Sequence, residues 1–535
     1  MSLFSARGAH AAIFSAIVSI LLLPAAAQAQ WVRAESTNFI AYSEGTPEDL
    51  KARVVDLEKF GKVLQTMTAA KRPKDVPVKI KVYFVRTNED VRATLPYPVG
   101  SVAGYYNTTM RGPFTVMPRV TEESSRKVRY REPVLEAKTV LQHELTHHFM
   151  FQYFPAAYPA WYTEGFADYA GAIQIDENNI VKVGLFLNDR ASALRRLDWV
   201  PLKTLMNPRP GKDRFPTIAY YSQGWILVHY LNKDDESKKK LRNYLIEINR
   251  GASFEQAMKA LGDIDALDRE VRAYSRLRSL PAYGTKYLTL DPGPIEVGPL
   301  TPSENALLGY QLRLSSGVLK TRAKDFANTV RAIAAGFPND PYALGILVDA
   351  ERLAGNSPQA IAAVDRWLAA HPRDPWALYH KGELEIEGLS AAKSTESAAW
   401  DAARARLIAA AESAPNEPRI LRAVYDSYLA QGMLPPPAAQ NMLSHALDLI
   451  PREPSLRYAV ALDYERRGMI RDAIDTIAPL AYAAPEEDEK ARREREKMQA
   501  RFALAGDDDQ ETARDMLARL IEKRDAASAK APAAQ

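Results

Sequence analysis

Three of the eight histidines in this 535-residue chain fall within six residues, in the stretch VLQHELTHHF from Val140 to Phe149. His143 and His147 stand four apart, so on a helix both rings leave the same face one turn apart and can share one metal ion. Glu144, beside the first of them, is placed to reach a water on that ion. The string HELTH therefore reads as H-E-x-x-H, two zinc ligands and a general base on one helix. The chain has no cysteine, which excludes thiolate ligands, thiol nucleophiles and disulfides, so any metal must be held by histidine and carboxylate.

A catalytic zinc takes three protein ligands and leaves a fourth position to solvent. Glu164, seventeen residues beyond His147 in PAWYTEGFADYAG, is the expected third ligand. The separation lets the first helix end, the chain turn at FPAAYP, and a second helix return antiparallel with the carboxylate. His148 points about 100° away from His147 around the helix and is expected as a structural or rim residue. Asp168, one turn beyond Glu164, is placed to accept the second ring N–H of a ligating histidine, His143 in the first instance. Tyr220 and Tyr221, heading YYSQGWILVHYL, are candidate donors to a developing oxyanion, because a phenol donates without titrating at neutral pH. Packing is the competing role for both. His229, among apolar neighbours in the same stretch, is expected to be a satisfied core or surface histidine.

The helix that must carry the histidine pair runs from Pro133 to about Tyr153, with Ala137, Leu141, Leu145 and Phe149 forming an i, i+4 apolar stripe. Ahead of it, TNFIAYSEG reads as a strand and PEDLKARVVDLEKFGKVLQTM as an amphipathic helix. PVKIKVYFV alternates with period two, the pattern of a half-buried strand. VAGYYNTT and GPFTVMP read as two more strands around a turn. The prolines towards either end of GPFTVMP argue for a sheet edge, to which a substrate peptide would add. Sheet first and helices after is an α+β order.

H-E-x-x-H followed by a helix carrying E-G-x-A-x-Y, here Glu164-Gly165-Phe166-Ala167-Asp168-Tyr169, resembles the gluzincin metallopeptidases, in particular their peptidase MA-like branch, over roughly residues 31 to 280. The E-x-x-x-D spacing is also similar to that of thermolysin-type enzymes. The resemblance implies a zincin-like domain, zinc held by His143, His147 and Glu164, and Glu144 as the base that activates water. No G-A-M-E-N-like motif is present, so aminopeptidase chemistry is not implied.

The rest of the chain has its own order. Residues 1–29 run from Arg7 through AAIFSAIVSILLLP to Ala27-Gln28-Ala29, the pattern of a cleavable signal peptide, and imply export to a periplasm or beyond the cell. No later segment is apolar enough to cross a bilayer. The peptidase domain is expected over 30–281 and a Pro/Gly-rich linker over 282–300. Repeats follow over 301–523, and a disordered tail over 524–535. FPNDPYAL, HPRDPWAL, APNEPRIL and IPREPSLR share a Pro-x-acid-Pro core whose second prolines, at 341, 375, 418 and 454, are spaced 34, 43 and 36 apart. Helix–turn–helix units of this length resemble the tetratricopeptide repeat (TPR). The acid-Pro pair suits an N-cap followed by proline at the first helical position.

A net charge of +4 over 70 basic and 66 acidic residues gives no reason to expect nucleic acid. The fold class is therefore an α+β zincin-like domain followed by an all-α repeat domain. The function expected is an exported zinc peptidase acting on peptides or proteins, its repeats recruiting protein partners or substrate. Two alternatives stay open, a non-catalytic TPR scaffold with a structural zinc site and a zinc hydrolase of non-peptide amides.

Overall fold

The computed structural model describes residues 30–530, apart from 71–77, 97–103, 120–136, 484–510 and the single positions 155, 210, 211, 214 and 288. The signal-peptide reading of residues 1–29 and the Pro133 start of the histidine helix fall outside the described residues.

A hairpin of β1 (Val32–Glu35) and β2 (Phe39–Ser43) opens the chain. Helix α1 (Pro47–Thr68) starts where Thr46 accepts a hydrogen bond from the Asp49 N–H, with proline in its first turn. Then come β3 (Ile80–Val85), α2 (Asn88–Thr94) and a second hairpin of β4 (Tyr105–Thr109) and β5 (Gly112–Pro118). The two helices of the expected site follow, α3 (Ala137–Tyr153) and α4 (Ala160–Gly171). A short hairpin of β6 (Gln174–Ile175) and β7 (Ile180–Val183) leads into a helical layer. That layer comprises α5 (Asn188–Arg196), α6 (Leu202–Met206), α7 (Ile218–Leu231), α8 (Asp235–Asn249), α9 (Phe254–Met258) and α10 (Ile264–Tyr274).

The stretch 282–300, expected as a linker, instead contains two short strands. β8 (Tyr283–Lys286) pairs with β7, and β9 (Glu296–Pro299) pairs antiparallel with β1. Its prolines and glycines hide this because both strands have only four residues and get their order from partners far away in sequence. The main sheet runs β4-β5-β3-β2-β1-β9. GPFTVMP is therefore not an edge: β5 lies between β4 and β3, with all seven residues buried. Its prolines stand at the second and last positions of the strand, close to its ends, where a missing N–H interrupts the ladder least. The edge on this side is β4.

β3 is buried on both faces rather than one. Ile80, Val82 and Phe84 pack with α1 and α3, while Tyr83 and Val85 join Leu308 and Leu312 on the far side. The cover on that far side comes from the repeats, which open with α11 (Pro302–Ser316) and α12 (Ala323–Ala334). Four helix pairs then begin at the four marked prolines: α13 (Pro341–Leu353) with α14 (Ser357–Ala370), α15 (Pro375–Ala391) with α16 (Ser397–Ser413), α17 (Pro418–Ala430) with α18 (Pro437–Leu449), and α19 (Pro454–Arg466) with α20 (Ile470–Ala483). Asp340, Asp374 and Glu453 each accept backbone N–H bonds as N-caps, whereas Glu417 makes no such bond. The 43-residue interval reflects α15 and α16, at 17 residues each the longest of these paired helices. Helix α21 (Ala513–Lys530) closes the chain, so the tail expected as disordered from 524 is helical to Lys530.

The described residues from Trp31 onwards form one compact unit. The Trp31 N–H donates to Asn305 on α11 at 2.8 Å, Arg111 in the β4–β5 turn pairs with Asp349 on α13 at 2.9 Å, and Phe254 packs on Tyr482 of α20. A sheet with two apolar faces needs a layer on each, and the repeats supply one of them.

Candidate metal centre

α4 is brought against α3 and α7 by missing side chains. A Cβ on Gly171 would stand 3.1 Å from the backbone of Thr139 and His143, and one on Gly165 would stand 2.4 Å from the backbone of Gly224 in α7. These approaches let the Glu164 carboxylate reach the histidine face of α3.

The three expected ligands converge. Nε2 of His143 and Nε2 of His147 lie 3.0 Å apart, and Glu164 Oε2 lies 3.3 Å from the first and 3.4 Å from the second. Donors about 2.0–2.1 Å from a tetrahedral zinc stand about 3.3 Å from one another, so the triangle has the right edge. Glu164 Oε2 is buried without a hydrogen-bond partner, as a ligand atom awaiting a cation would be. Among the described residues, this is the one group of histidines and carboxylates spaced to hold a metal ion. The three residues could together hold a metal ion.

Asp168 is fully buried and accepts the His143 Nδ1–H at 2.8 Å. A carboxylate can only accept here, so the His143 Nδ1 carries a proton and Nε2 is the nitrogen turned towards the triangle. Arg190 on α5 holds the other side of Asp168, through Nε at 2.6 Å and Nη2 at 3.0 Å. Burial raises the Asp168 carboxyl, but the His143 and Arg190 charges outweigh it and hold it below its usual value. Glu164 is likewise held well below the usual range against the effect of burial, chiefly by His147. Burial lowers both imidazoles, and for His143 the Asp168 and Glu164 carboxylates overturn this and carry it up to about 10. His147, which also feels Arg452, stays depressed. The triangle is thus a place of negative field, where a proton and a metal ion compete.

The structure separates the paired candidates. Tyr221 stacks on the His143 ring at 5.9 Å and lies under the Arg190 guanidinium, and burial raises its phenol, with the Glu164 and Glu144 charges adding to the effect. Tyr220 is buried in the helical core against Phe215. His148 points away from the triangle and is hydrogen-bonded through Nδ1 to the Tyr106 hydroxyl at 2.9 Å. His229 bonds to the Gly184 carbonyl and the Tyr274 hydroxyl, both at 3.0 Å, as a satisfied core histidine should. Glu144 is half-buried on the next position of α3 after His143. Sequence reasoning missed Arg190: no motif marks it, and its link to Asp168 spans 22 residues.

No family model matches the chain, and no curated protein matches it. Solved structures do. A TPR protein of Thermus thermophilus is 22% identical over 36% of this chain and 96% of its own, with a TM-score of 0.30. PilF of Pseudomonas aeruginosa is 17% identical over 42% of this chain and 84% of its own, at 0.28. MamA of Desulfovibrio magneticus is 18% identical over 34% and 94%, at 0.25. TM-scores of this size carry no argument of their own. The TPR-like assignment of the C-terminal helices rests on the repeated pairs and their caps.

Proposed function

We propose that this chain is an exported zinc-dependent peptidase of gluzincin type, in which His143, His147 and Glu164 hold the metal. The observation that carries the reading is the convergence of those three ligand atoms, from two helices, beside a glutamate that is none of the three. Zinc there would supply a Lewis acid that makes a water acidic enough to lose its proton near neutrality. Glu144 takes that proton as the water attacks a peptide carbonyl and returns it to the leaving amine. Tyr221, whose phenol is kept protonated by burial, donates to the carbonyl oxygen as charge develops. Asp168 keeps the His143 tautomer, and Arg190 keeps Asp168 charged. The substrate peptide lies along β4, the edge strand nearest α3. Export, to a periplasm or beyond the cell, is part of the same proposal and rests on the first 29 residues.

The test compares wild type with Glu144→Gln at equal zinc content on a quenched peptide library. A loss of about 10²- to 10⁴-fold in kcat is expected. Equal rates would remove the enzyme.

The second reading, a protein-interaction scaffold with a structural metal, has the repeats in its favour, since paired helices fill the chain from Pro302 to Ala483 and resemble a peptide- or protein-binding array. It predicts unfolding on zinc removal and no Glu144-dependent cleavage.

A further inference from the structure

The turn between α18 and α19 carries Arg452 out of the repeats and across to the helix that bears the histidines. Its guanidinium carbon lies 5.0 Å from the ring centroid of Tyr106 on β4 and 5.0 Å from that of Phe151 on α3. Two aromatic faces therefore orient the charge. His143, His147 and Phe151 are spaced four apart and occupy three successive turns of one face of α3. Arg452, packed on the Phe151 ring, accordingly stands on the order of one helical turn past the second histidine along that face. The bond from the Tyr106 hydroxyl to His148 fixes one of the two rings that hold it.

Two other arginines of the repeats are matched: Arg419 by Asp349, and Arg422 by Asp426 at 3.0 Å. Among the described residues no carboxylate pairs with Arg452, and its Nη1 is buried without a hydrogen-bond partner. A guanidinium does not shed its proton, so a buried Nη1 without a partner is able to take an anion, and a carboxylate matches its planar fork. β4, which supplies one of the two rings, is also the last strand of the sheet among the described residues. A peptide laid along it advances about 3.3 Å per residue. One helical turn from the metal ligands is then one or two residues from the bond to be cut.

We propose that Arg452, delivered by the repeats, binds a carboxylate of the substrate one or two residues from the scissile bond, either the free end of a peptide or an Asp or Glu side chain. What is cut rests on the peptidase reading above, whereas the binding does not. The repeats become a wall of the substrate groove, and their position sets which peptides fit it.

The test uses the full zinc-loaded chain and two matched series of quenched peptides, one with a free or amidated C terminus and one with Glu or Gln at the two positions on either side of the cleaved bond. Wild type is expected to prefer the carboxylate about tenfold to a hundredfold in kcat/KM in one series, which tells chain end from side chain. Arg452→Met should bring the ratio close to one, and Arg452→Lys should keep part of it, which guards against a variant that merely misfolds. Absence of preference in both series, or an undiminished ratio in Arg452→Met, overturns the proposal. Calorimetric binding of the same peptides to Glu144→Gln, with and without Arg452→Met, is the second arm. Carboxylate-dependent binding without any cleavage by wild type keeps the Arg452 site and removes the peptidase; cleavage without discrimination does the reverse.

Discussion

Asp168 Oδ1 lies 2.8 Å from His143 Nδ1, and the same carboxylate is gripped from behind by Arg190. The chain Arg190–Asp168–His143 joins α5, α4 and α3, so the imidazole of a candidate metal ligand is oriented from two elements away. The carboxylate could serve either as a tether for Arg190 or as the partner that tunes His143, and the two roles separate under mutation.

Asp168→Asn retains the shape and an acceptor for His143 but removes the charge. Zinc affinity is expected to fall about 10- to 100-fold, read by competition with a chromogenic chelator. Stability should fall by about 1–3 kcal/mol, because Arg190 loses one of its two carboxylate partners in a buried setting and keeps only Asp189. Unchanged affinity alongside that destabilisation would reduce Asp168 to a tether.

Gly165→Ala tests the close approach of α4 and α7. Its Cβ would stand 2.4 Å from Gly224 backbone atoms, and backbone gives way poorly. Overpacking of this kind costs about 1–3 kcal/mol or more. Because Glu164 is the adjacent residue, zinc affinity should drop along with the melting temperature. A melting temperature within a degree of wild type would show that the helices can separate freely.

The convergence of the candidate site's residues was legible in the sequence because the information is local. His143, Glu144 and His147 declare themselves by helical spacing, and Glu164 and Asp168 by sitting one turn apart on the next helix. The repeats were legible for the same reason, since acid-Pro punctuation is a property of four consecutive residues. What was hidden is set by partners far along the chain. GPFTVMP looked like an edge because its prolines are visible, whereas its burial between β4 and β3 is not. Residues 282–300 looked like a linker because β9 takes its order from β1, more than 250 residues earlier. Tyr220 and Tyr221 were indistinguishable until α7 was docked, and Arg452 carried no signal at all, since its neighbours Tyr106 and Phe151 are some 300 or more residues away.

Acid stability should report on His380. Burial among Trp367, Trp376 and Tyr379 pushes it down to about 3, and the Arg419, Arg352 and Arg111 charges add to this against Asp349. An unfolded histidine titrates near 6.5, so between about pH 6.5 and 3 the unfolded chain binds a proton that the folded one does not. Stability contributed by this residue is therefore full above about pH 6.5 and is lost as the pH falls, by on the order of 3 kcal/mol at pH 4. His380→Phe keeps the ring, removes a buried Nδ1 that has no partner, and should flatten this limb in urea titrations from pH 7 to 4. An equally steep loss in the variant would place the acid sensitivity elsewhere.

Asp349 is the expected lock between the sheet and the repeats. Arg111 reaches it at 2.9 Å from the β4–β5 turn and Arg419 at 3.5 Å from α17, and although burial raises the carboxyl, these two charges hold it far below the usual carboxylate range. A folded value depressed in this way contributes stability that is present above the unfolded value of about 3.9 and lost only as the pH falls through the folded one, so docking should survive mild acid. Asp349→Ala would leave two buried guanidinium groups facing each other with no anion between them, at a cost of about 3–5 kcal/mol. Because Arg111 belongs to the sheet and Arg419 to the repeats, the loss should fall on their contact rather than on either core. A single thermal transition should split in two, with new proteolytic cuts in the β4–β5 turn, while zinc binding at neutral pH changes little. If the variant still unfolds in one step at the wild-type temperature, the apolar contacts of α11 hold the two parts together without this triad.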